Sequence, residues 1–274
     1  MALFDFKLRP LHEVQPWGGM DGPDDLCLHW FGLTDGCFSI DCGIARLFQY
    51  TPEMLVKWEI PSPDEWNPTA WVDYPIIRLY EDVIDLLQHV LVELPSDFHR
   101  LVSDVASHRA WRENLRQIAE SDDWDEGDED MSQCYLLVLQ WMGYRKLDSS
   151  YLVDGPETWF WRHSDEIYVL WDNEDSVADG FPRWTAASGV ISMSVERFLG
   201  EVESFHHRLM ASMQDRIHEI AFANPFKGVK IDIPYLFLVQ KQRERSLANA
   251  LAAAPEEPDW EKVRHAMRML GCAI

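Results

Sequence analysis

The sequence predicts an α+β fold in which antiparallel β-hairpins pack against long amphipathic helices. Residues 158–162 and 166–171 are rich in aromatic and β-branched side chains and flank the turn His163-Ser164-Asp165, which is typical of a hairpin. Residues 194–220 repeat apolar side chains at steps of three and four, which is typical of a helix that buries one face. A hairpin covered by such a helix makes a two-layer core.

The second strand of this hairpin is apolar on both faces. Ile167, Val169 and Trp171 lie on one face, while Tyr168 and Leu170 lie on the other. Strands with two apolar faces are usually covered on both sides. We therefore expect protein layers above and below this strand.

The long helix has a recognisable start. Ser194 is a good N-cap residue, and Met193 and Phe198 have the spacing of a hydrophobic staple. The apolar stripe continues to Ile220. The polar segment between the hairpin and this helix contains Pro and Gly and is predicted to be a loop.

The N-terminal part of the chain is predicted to contain short strands and one short helix. Residues 26–31 and 37–41 alternate around Thr34-Asp35-Gly36 and are predicted to form a first hairpin. Thr51 and Pro52 mark the start of a helix that reaches about residue 58. Further strands are predicted at residues 3–8 and 45–50.

Helices dominate the remaining segments. Residues 59–75 hold four prolines and are predicted to be a long loop. Residues 120–130 contain eight acids and are predicted to be a solvated loop. Apolar periodicity predicts helices at residues 76–94, 98–119, 132–144, 234–252 and from residue 260 on.

The two predicted hairpins resemble each other. Residues 29–40 and 159–170 share an aromatic pair, two spacers, Thr or Ser followed by Asp, and then alternating apolar residues. One hypothesis is a degenerate duplication of a hairpin-helix unit, and chance similarity is the alternative. We expect a single fused domain over residues 1–274, with possible halves 1–119 and 131–274 joined by the acidic loop 120–130.

The chain is strongly acidic, with a formal net charge of −23. The excess lies before Lys227, because the segment after Phe226 holds eight Lys and Arg against six acids. Such a charge argues against binding to nucleic acid or to an anionic membrane. Solubility alone is one explanation of this charge, and a basic protein partner or mimicry of nucleic acid is the alternative.

The composition also indicates a compartment. No apolar run is long enough to span a membrane, and the N-terminus lacks the layout of a signal peptide. The five cysteines are odd in number and irregularly spaced, which suits reduced thiols. We therefore expect a cytoplasmic protein.

The sequence contains no established catalytic or cofactor motif. A P-loop, a Gly-rich dinucleotide loop and a Gly-x-Ser-x-Gly elbow are all missing. A calcium loop in the acidic segment fails because Trp124 and Gln133 would occupy ligand positions. The candidate zinc ligands Cys27, His29, Cys37 and Cys42 lack the Cys-x-x-Cys spacing that is typical of zinc. We predict no catalytic, cofactor-binding or metal site, and we favour a protein that is not an enzyme.

The candidate partner-binding residues are tryptophans and acids. Trp and Tyr are enriched at binding hot spots, although a buried indole is more often part of the core. Asp35 and Asp165 occupy equivalent turn positions, where they could act as the carboxylate pair of a hydrolase or bond their own turn backbone. We predict partner binding by Trp30, Asp35, Asp122, Asp123, Asp125, Glu126, Trp159, Trp161, Asp165 and Glu166.

Three segments carry a resemblance to a known family. They are residues 4–11 (Phe-Asp-Phe-Lys-Leu-Arg-Pro-Leu), residues 29–36 (His-Trp-Phe-Gly-Leu-Thr-Asp-Gly) and residues 189–217. Together they resemble a bacterial domain-of-unknown-function family over most of the chain. The resemblance implies no catalytic residues. In size, acidity and Trp-rich α+β character, the chain is also similar to the immunity proteins of bacterial toxin systems.

These observations lead us to expect a non-enzymatic, acidic protein-binding protein. Its expected form is a bacterial immunity protein that neutralises a basic toxin, because a negative surface steers basic partners toward it and suppresses others. The alternatives are a carboxylate-based hydrolase with an aromatic-lined cleft and a DNA-mimic inhibitor. We expect no cofactor and neither nucleic acid nor a membrane as a partner.

Overall fold

The computed structural model describes residues 2–18, 26–58, 67, 70–121, 129–178 and 180–272, so most of the predicted acidic loop and much of the proline-rich loop lie outside it. Within these residues the chain forms helices and small antiparallel sheets, which confirms the α+β class. The helices are α1 (Pro52–Lys57), α2 (Ile76–Val90), α3 (Ser96–Val102), α4 (Val105–Ala119), α5 (Glu129–Gly143), α6 (Val195–Ala223), α7 (Ile233–Arg243), α8 (Ser246–Ala252) and α9 (Trp260–Met269). The strands are β1 (Phe4–Leu8), β2 (Gly36–Asp41), β3 (Arg46–Leu47), β4 (Val72–Asp73), β5 (Thr158–His163), β6 (Glu166–Asp172), β7 (Val177–Ala178), β8 (Phe181–Pro182) and β9 (Ser188–Ser194).

Two sheets organise the chain. In the first sheet β2 pairs with β1, β3 and β4, and in the second sheet β6 lies between β5 and β9. All of these pairings are antiparallel. β7 and β8 form a separate two-stranded ribbon. The β5–β6 pair is the hairpin that the sequence predicts.

Strand β6 is covered on both faces, as the sequence predicts. Ile167, Val169 and Trp171 belong to one cluster of buried side chains, while Leu170 packs in a second cluster and Tyr168 contacts it. We call these clusters the first core and the second core. Helices α2 and α6 contribute to the first core, and α3, α4, α5 and α9 contribute to the second. The second sheet therefore lies between two helical layers.

Each core combines residues from both sides of the acidic segment. In the first core, Phe4 stacks on Phe205 with ring centroids 5.7 Å apart. In the second core, Phe98 contacts Trp141 at 5.2 Å and Trp260 at 4.9 Å. A boundary at residues 120–130 would therefore pass through both cores.

Helix α6 begins as predicted, but the strand before it was missed. The Ser194 side chain accepts a hydrogen bond from the Arg197 backbone N–H at 3.2 Å, and Met193 and Phe198 are buried. Strand β9 occupies the last part of the segment between the hairpin and α6, which was predicted to be a loop. Its sequence mixes Ser and Gly with Val, Ile and Met, which weakens the strand pattern because Ser and Gly are typical of turns.

The first predicted hairpin is wrong. Within residues 26–31, Cys27 makes isolated bridges to Trp17 and Lys230 and no strand forms. A turn of 3-10 helix follows at Gly32–Thr34, and the hairpin partner assigned to β2 is replaced by β1. Because the N-terminal copy is not a hairpin, the duplication hypothesis is wrong as well.

Two predicted helices are each split in two. Residues 98–119 break between α3 and α4, where the Asp104 side chain accepts a hydrogen bond from Ser107 N–H at 2.9 Å and caps α4. Residues 234–252 break between α7 and α8. In both cases the apolar period continues across the break, so periodicity alone does not reveal it.

Candidate functional site

The turn between β5 and β6 carries two of the predicted partner-binding residues, Asp165 and Glu166. His163 pairs with Glu166 in the ladder, so Ser164 and Asp165 form a two-residue turn. Ser164 has a φ of 54°, in the left-handed region that favours glycine. The Asp165 side chain is fully exposed, and Glu166 is exposed as well.

Backbone groups of this turn are tied to two neighbouring segments. Ser164 N–H donates to Glu93 Oε1 at 3.2 Å, and Leu94 N–H donates to Arg162 O at 2.8 Å. On the other side, Val195 N–H donates to Asp165 O at 3.0 Å. The turn is therefore fixed between the α2–α3 connection and the start of α6.

Four exposed carboxylates share this place in the fold: Glu93, Asp165, Glu166 and Glu196. We call them the acidic tip. They outnumber the arginines beside them, Arg162 and Arg197. The tip therefore presents net negative charge on a backbone that is already ordered.

Arg162 contacts the tip mainly through the backbone. Its Nε donates to Ser164 O at 2.8 Å, whereas its guanidinium lies 4.0 Å from Asp165 Oδ1. An exposed pair at that distance contributes little. The negative charge of Asp165 is therefore largely uncompensated and available to a partner.

Two histidines lie behind the tip. The rings of His99 and His163 stack with centroids 4.1 Å apart and planes 10° apart. Burial, followed by the neighbouring His163, lowers the pKa of His99. His99 is therefore mainly neutral at pH 7 and adds little positive charge behind the tip.

The predicted tryptophans Trp30, Trp159 and Trp161 are all buried. Trp30 Nε1 donates to Gln240 Oε1 at 3.0 Å, and Trp161 Nε1 donates to His99 Nδ1 at 3.1 Å. Their burial and internal hydrogen bonds favour the core role over the partner role. Among the predicted residues near this turn, the exposed acids Asp165 and Glu166 are therefore the ones that a macromolecular partner could contact.

Asp35 lies in a different part of the fold from Asp165. It precedes β2 in the first sheet and accepts a hydrogen bond from Arg9 Nε at 2.7 Å. Arg9 also pairs with Asp73 on β4. Burial, followed by the charge of Asp35, raises the pKa of Asp73 to about 6. The carboxyl neighbour of Asp35 is therefore Asp73, which lies in the predicted loop and carried no signal in the sequence.

The remaining predicted acids, Asp122, Asp123, Asp125 and Glu126, lie outside the described residues. In the part of the chain that the structure covers, no three His, Cys, Asp or Glu side chains gather so as to hold a metal ion. No helix in that part is both long and apolar enough to cross a bilayer.

Trp159 also forms a wall of a cleft between α4, α5 and β5. The cleft has a volume of about 320 Å³, and His108, Trp111 and Leu139 are among its lining residues. The rings of His108 and Trp159 lie 4.3 Å apart at 65°, and the Arg112 guanidinium lies 5.1 Å from the Trp159 ring centroid. Sequence reasoning missed His108, because a single histidine on an apolar helix face gives no functional signal.

The fold and surface thus define an acidic α+β protein built on a two-sided sheet. Residues 3–266 match DUF5984, a family of unknown function, and the chain belongs to that family. The match confirms the expectation that the chain belongs to a domain-of-unknown-function family. No curated protein and no solved structure matches the chain.

Proposed function

We propose that this protein is a non-enzymatic, cytoplasmic binding protein that holds a basic protein partner. The observation that carries the proposal is its charge. There are 47 acids against 24 Lys and Arg, giving a net charge of −23. Even if every cation were paired with one carboxylate, this excess of carboxylates would have no cation. A surface of this kind attracts basic partners and repels acidic ones.

The acidic tip is the proposed contact. Its carboxylates project from β6, from the β5–β6 turn, from the α2–α3 connection and from the first turn of α6. Backbone hydrogen bonds hold these segments together before any partner arrives. Binding to a preorganised surface loses less conformational entropy than binding to a disordered one.

We further propose that the partner is a basic toxin and that the protein acts as its immunity protein in a bacterium. Its acidity, its size and its α+β architecture support this idea by analogy, because in these features the chain is similar to immunity proteins. Occlusion of a basic toxin by a complementary acidic surface requires no catalytic residue on this chain.

The test begins with affinity capture at low salt and elution by rising salt, followed by purification of the eluted basic protein. The dissociation constant of the purified pair is then measured for the wild type and for the double variant Asp165→Asn/Glu166→Gln. The matched control is Glu53→Gln/Asp215→Asn, which removes the same charge from exposed positions. Asp215 lies about 29 Å along α6 from Glu196, at about 1.5 Å per residue.

We expect the tip variant to weaken binding by about tenfold or more and to reduce the salt dependence, while the control stays within about twofold. Co-expression should rescue growth from the toxic partner with the wild type and less well with the tip variant. Equal effects of the two double variants would refute the tip as the contact. A partner whose affinity is independent of salt would refute the electrostatic basis of the proposal.

A further inference from the structure

Strand β9 leaves one edge of the second sheet open. The strand order is β5-β6-β9, so β5 and β9 are the two outer strands. The outer edge of β5 is closed, because Phe160 N–H donates to Arg145 O and Leu147 N–H donates to Thr158 O, each at 2.8 Å. The outer edge of β9 has no backbone neighbour among the described residues. The sheet could therefore be extended only beyond β9.

The register with β6 shows which backbone groups of β9 point to this edge. Val195 N–H donates to Asp165 O at 3.0 Å, and Asn173 N–H donates to Ala187 O at 2.6 Å. Both bonds continue the β6–β9 register, one at each end of the ladder. Hydrogen-bonded and non-hydrogen-bonded pairs alternate along an antiparallel ladder. The odd-numbered residues of β9 are therefore bonded to β6, and the N–H and C=O groups of the even-numbered residues point outward.

Val190 and Ser192 each present a donor and an acceptor at the open edge. Neither backbone has another hydrogen-bond partner in the part of the chain that the structure describes. Ser192 is exposed and Val190 is half-buried, so the edge is accessible. Edge strands are usually protected from pairing by Lys, Pro or a bulge. The sequence of β9, Ser-Gly-Val-Ile-Ser-Met-Ser, contains neither Lys nor Pro, and its register with β6 contains no bulge.

The open edge runs between two groups of acids. At the C-terminal end of β9, Ser194 lies opposite Glu166 and is followed closely by Glu196, so the edge reaches the acidic tip. At the N-terminal end, the Ser188 hydroxyl donates to Glu174 Oε1 at 2.6 Å. A strand that paired with β9 would therefore have carboxylates beside both of its ends.

The arginines near these acids do not neutralise them. The acidic tip has four carboxylates and two arginines beside it. At the other end, one arginine, Arg109, pairs with both Asp172 and Glu174, and the exposed Asp175 has no ion pair among the described residues. Each end of the edge thus has two more carboxylates than arginines.

This charge distribution decides between two possible occupants of the edge. A second copy of the chain could pair β9 with β9, but both ends of β9 are acidic. Parallel or antiparallel pairing would therefore place carboxylates of one copy beside carboxylates of the other, which is unfavourable. A strand with cationic side chains at its ends would meet opposite charge at each end of β9. The edge therefore fits a basic strand and disfavours self-association.

We propose that an extended, basic segment of the protein partner adds to the second sheet as a fourth strand beside β9. Its backbone pairs with the outward groups of Val190 and Ser192, and its Lys or Arg side chains reach the acids at the two ends. Main-chain hydrogen bonds supply affinity in this mode of recognition, and the flanking charges select the partner. The inference rests on the proposed function, from which it takes the basic character of the partner.

The probe is the peptide acetyl-Lys-Lys-Val-Thr-Val-Thr-Val-Lys-Lys-amide, titrated into the full chain by calorimetry at low salt. Its central residues favour a strand, and its cations lie at both ends. The matched control is the same peptide methylated on its five central backbone nitrogens, which keeps every charge and removes the N–H donors. We expect a dissociation constant below about 1 mM for the probe and binding about tenfold weaker for the methylated peptide.

Hydrogen exchange followed residue by residue by NMR tests the geometry directly. In the free protein the N–H groups of Val190 and Ser192 should exchange faster than those of Gly189 and Ile191, which are bonded to β6. A peptide concentration about ten times the dissociation constant should slow exchange at Val190 and Ser192 by about tenfold. Gly189 and Ile191 should change much less. This alternation is the signature of strand addition, because binding by charge alone does not distinguish odd from even positions.

Ser192→Pro tests the same edge from the side of the protein. Proline removes one outward N–H, and the bonds from β6 to the odd-numbered residues are not involved. We expect this variant to bind the probe about tenfold more weakly. The control Ser192→Ala removes the hydroxyl, keeps the N–H and should stay within about twofold of the wild type. Circular dichroism checks that both variants are folded, and the methylated peptide tests the pairing even if the proline variant does not fold.

Equal binding of the two peptides, or equal protection of odd and even positions, would overturn the strand addition and leave the proposed acidic contact in place. Failure of the probe to bind at about 1 mM would overturn it as well. Dimers in sedimentation that Ser192→Pro abolishes would show that a second copy occupies the edge instead. An affinity capture that yields no basic protein would count against the proposed function, while alternating protection by the peptide would still stand.

Discussion

Tyr151 Oη donates a hydrogen bond of 2.9 Å to Oδ2 of Asp82, whose side chain is buried. Arg78 lies 3.3 Å from the other carboxylate oxygen. Burial outweighs these two partners and raises the pKa of Asp82 to about 7. An unfolded Asp titrates near pH 4, so the folded state binds this proton more tightly. The contribution of Asp82 to stability is therefore largest below about pH 4 and is lost as the pH rises to about 7.

Asp82→Asn should stabilise the protein at pH 8, because it removes the buried charge and keeps an acceptor for Tyr151. The gain has an upper limit of about 4 kcal/mol, at about 1.4 kcal/mol per pKa unit, and it should vanish below about pH 4. Urea unfolding at a series of pH values measures it. The control is Asp148→Asn. Asp148 is an exposed partner of Arg78, and the pKa of Asp148 is lowered, so this substitution should give no gain in stability. A less stable Asp82→Asn variant at pH 8 would contradict this reasoning.

His108 should give the opposite dependence on pH. Burial lowers its pKa to about 4, against about 6.5 in the unfolded chain. Its contribution to stability is present above about pH 6.5 and is lost as the pH falls through about 4. His108→Phe should flatten the stability curve over this window by up to about 3 kcal/mol. The control is the exposed His12. His12→Phe should leave the dependence of the free energy of unfolding on pH unchanged in this acidic range.

Ser164→Gly should stabilise the hairpin without changing its surface charge. The residue has a φ of 54°, which costs a side chain with a Cβ about 1 kcal/mol and costs glycine little. We expect the free energy of unfolding to rise by about 0.5–1 kcal/mol in thermal or chemical denaturation. Ser164→Ala retains the Cβ and should bring no such gain. Equal stability of the two variants would show that the turn is not strained.

Gln240 joins three parts of the first core. It accepts from Trp30 Nε1 at 3.0 Å, and its amide donates to Met210 O at 3.0 Å. Gln240→Ala leaves the buried indole N–H of Trp30 without its partner and removes the additional bond to Met210 O, so it should lower the free energy of unfolding by about 1–3 kcal/mol. Gln242 is exposed on the same helix, and Gln242→Ala should change it by less than about 0.5 kcal/mol. Because alanine favours a helix at least as well as glutamine does, a similar loss in both variants would contradict the assignment of the effect to the buried hydrogen bonds of Gln240.

The same contact explains why part of the fold was predictable and part was not. The two apolar faces of β6 and the Ser194 cap are local patterns, and both were predicted correctly. Residues 26–31 have the composition of a strand, but Trp30 in this segment donates a hydrogen bond to Gln240, which is 210 positions away. Such a contact between distant positions leaves no periodic trace in a single sequence.

The candidate sites show the same division. The exposed position of Asp165 follows from a turn signal that is visible in the sequence. The neighbours of Asp35 and Trp159 cannot be predicted in this way. Asp73 lies near Asp35, and His108 lies near Trp159, only because separate elements pack together. Residue type and spacing predict the turns, while pairs of side chains from different elements require the structure.

Strand β6 also determines how the protein should come apart. Its successive side chains pack in opposite cores. Unfolding of either core therefore exposes one face of this strand to water. The two cores are therefore expected to melt together, as one cooperative unit with a single thermal transition. The amides of β6, paired on both edges, should be among the slowest in the chain to exchange with deuterium.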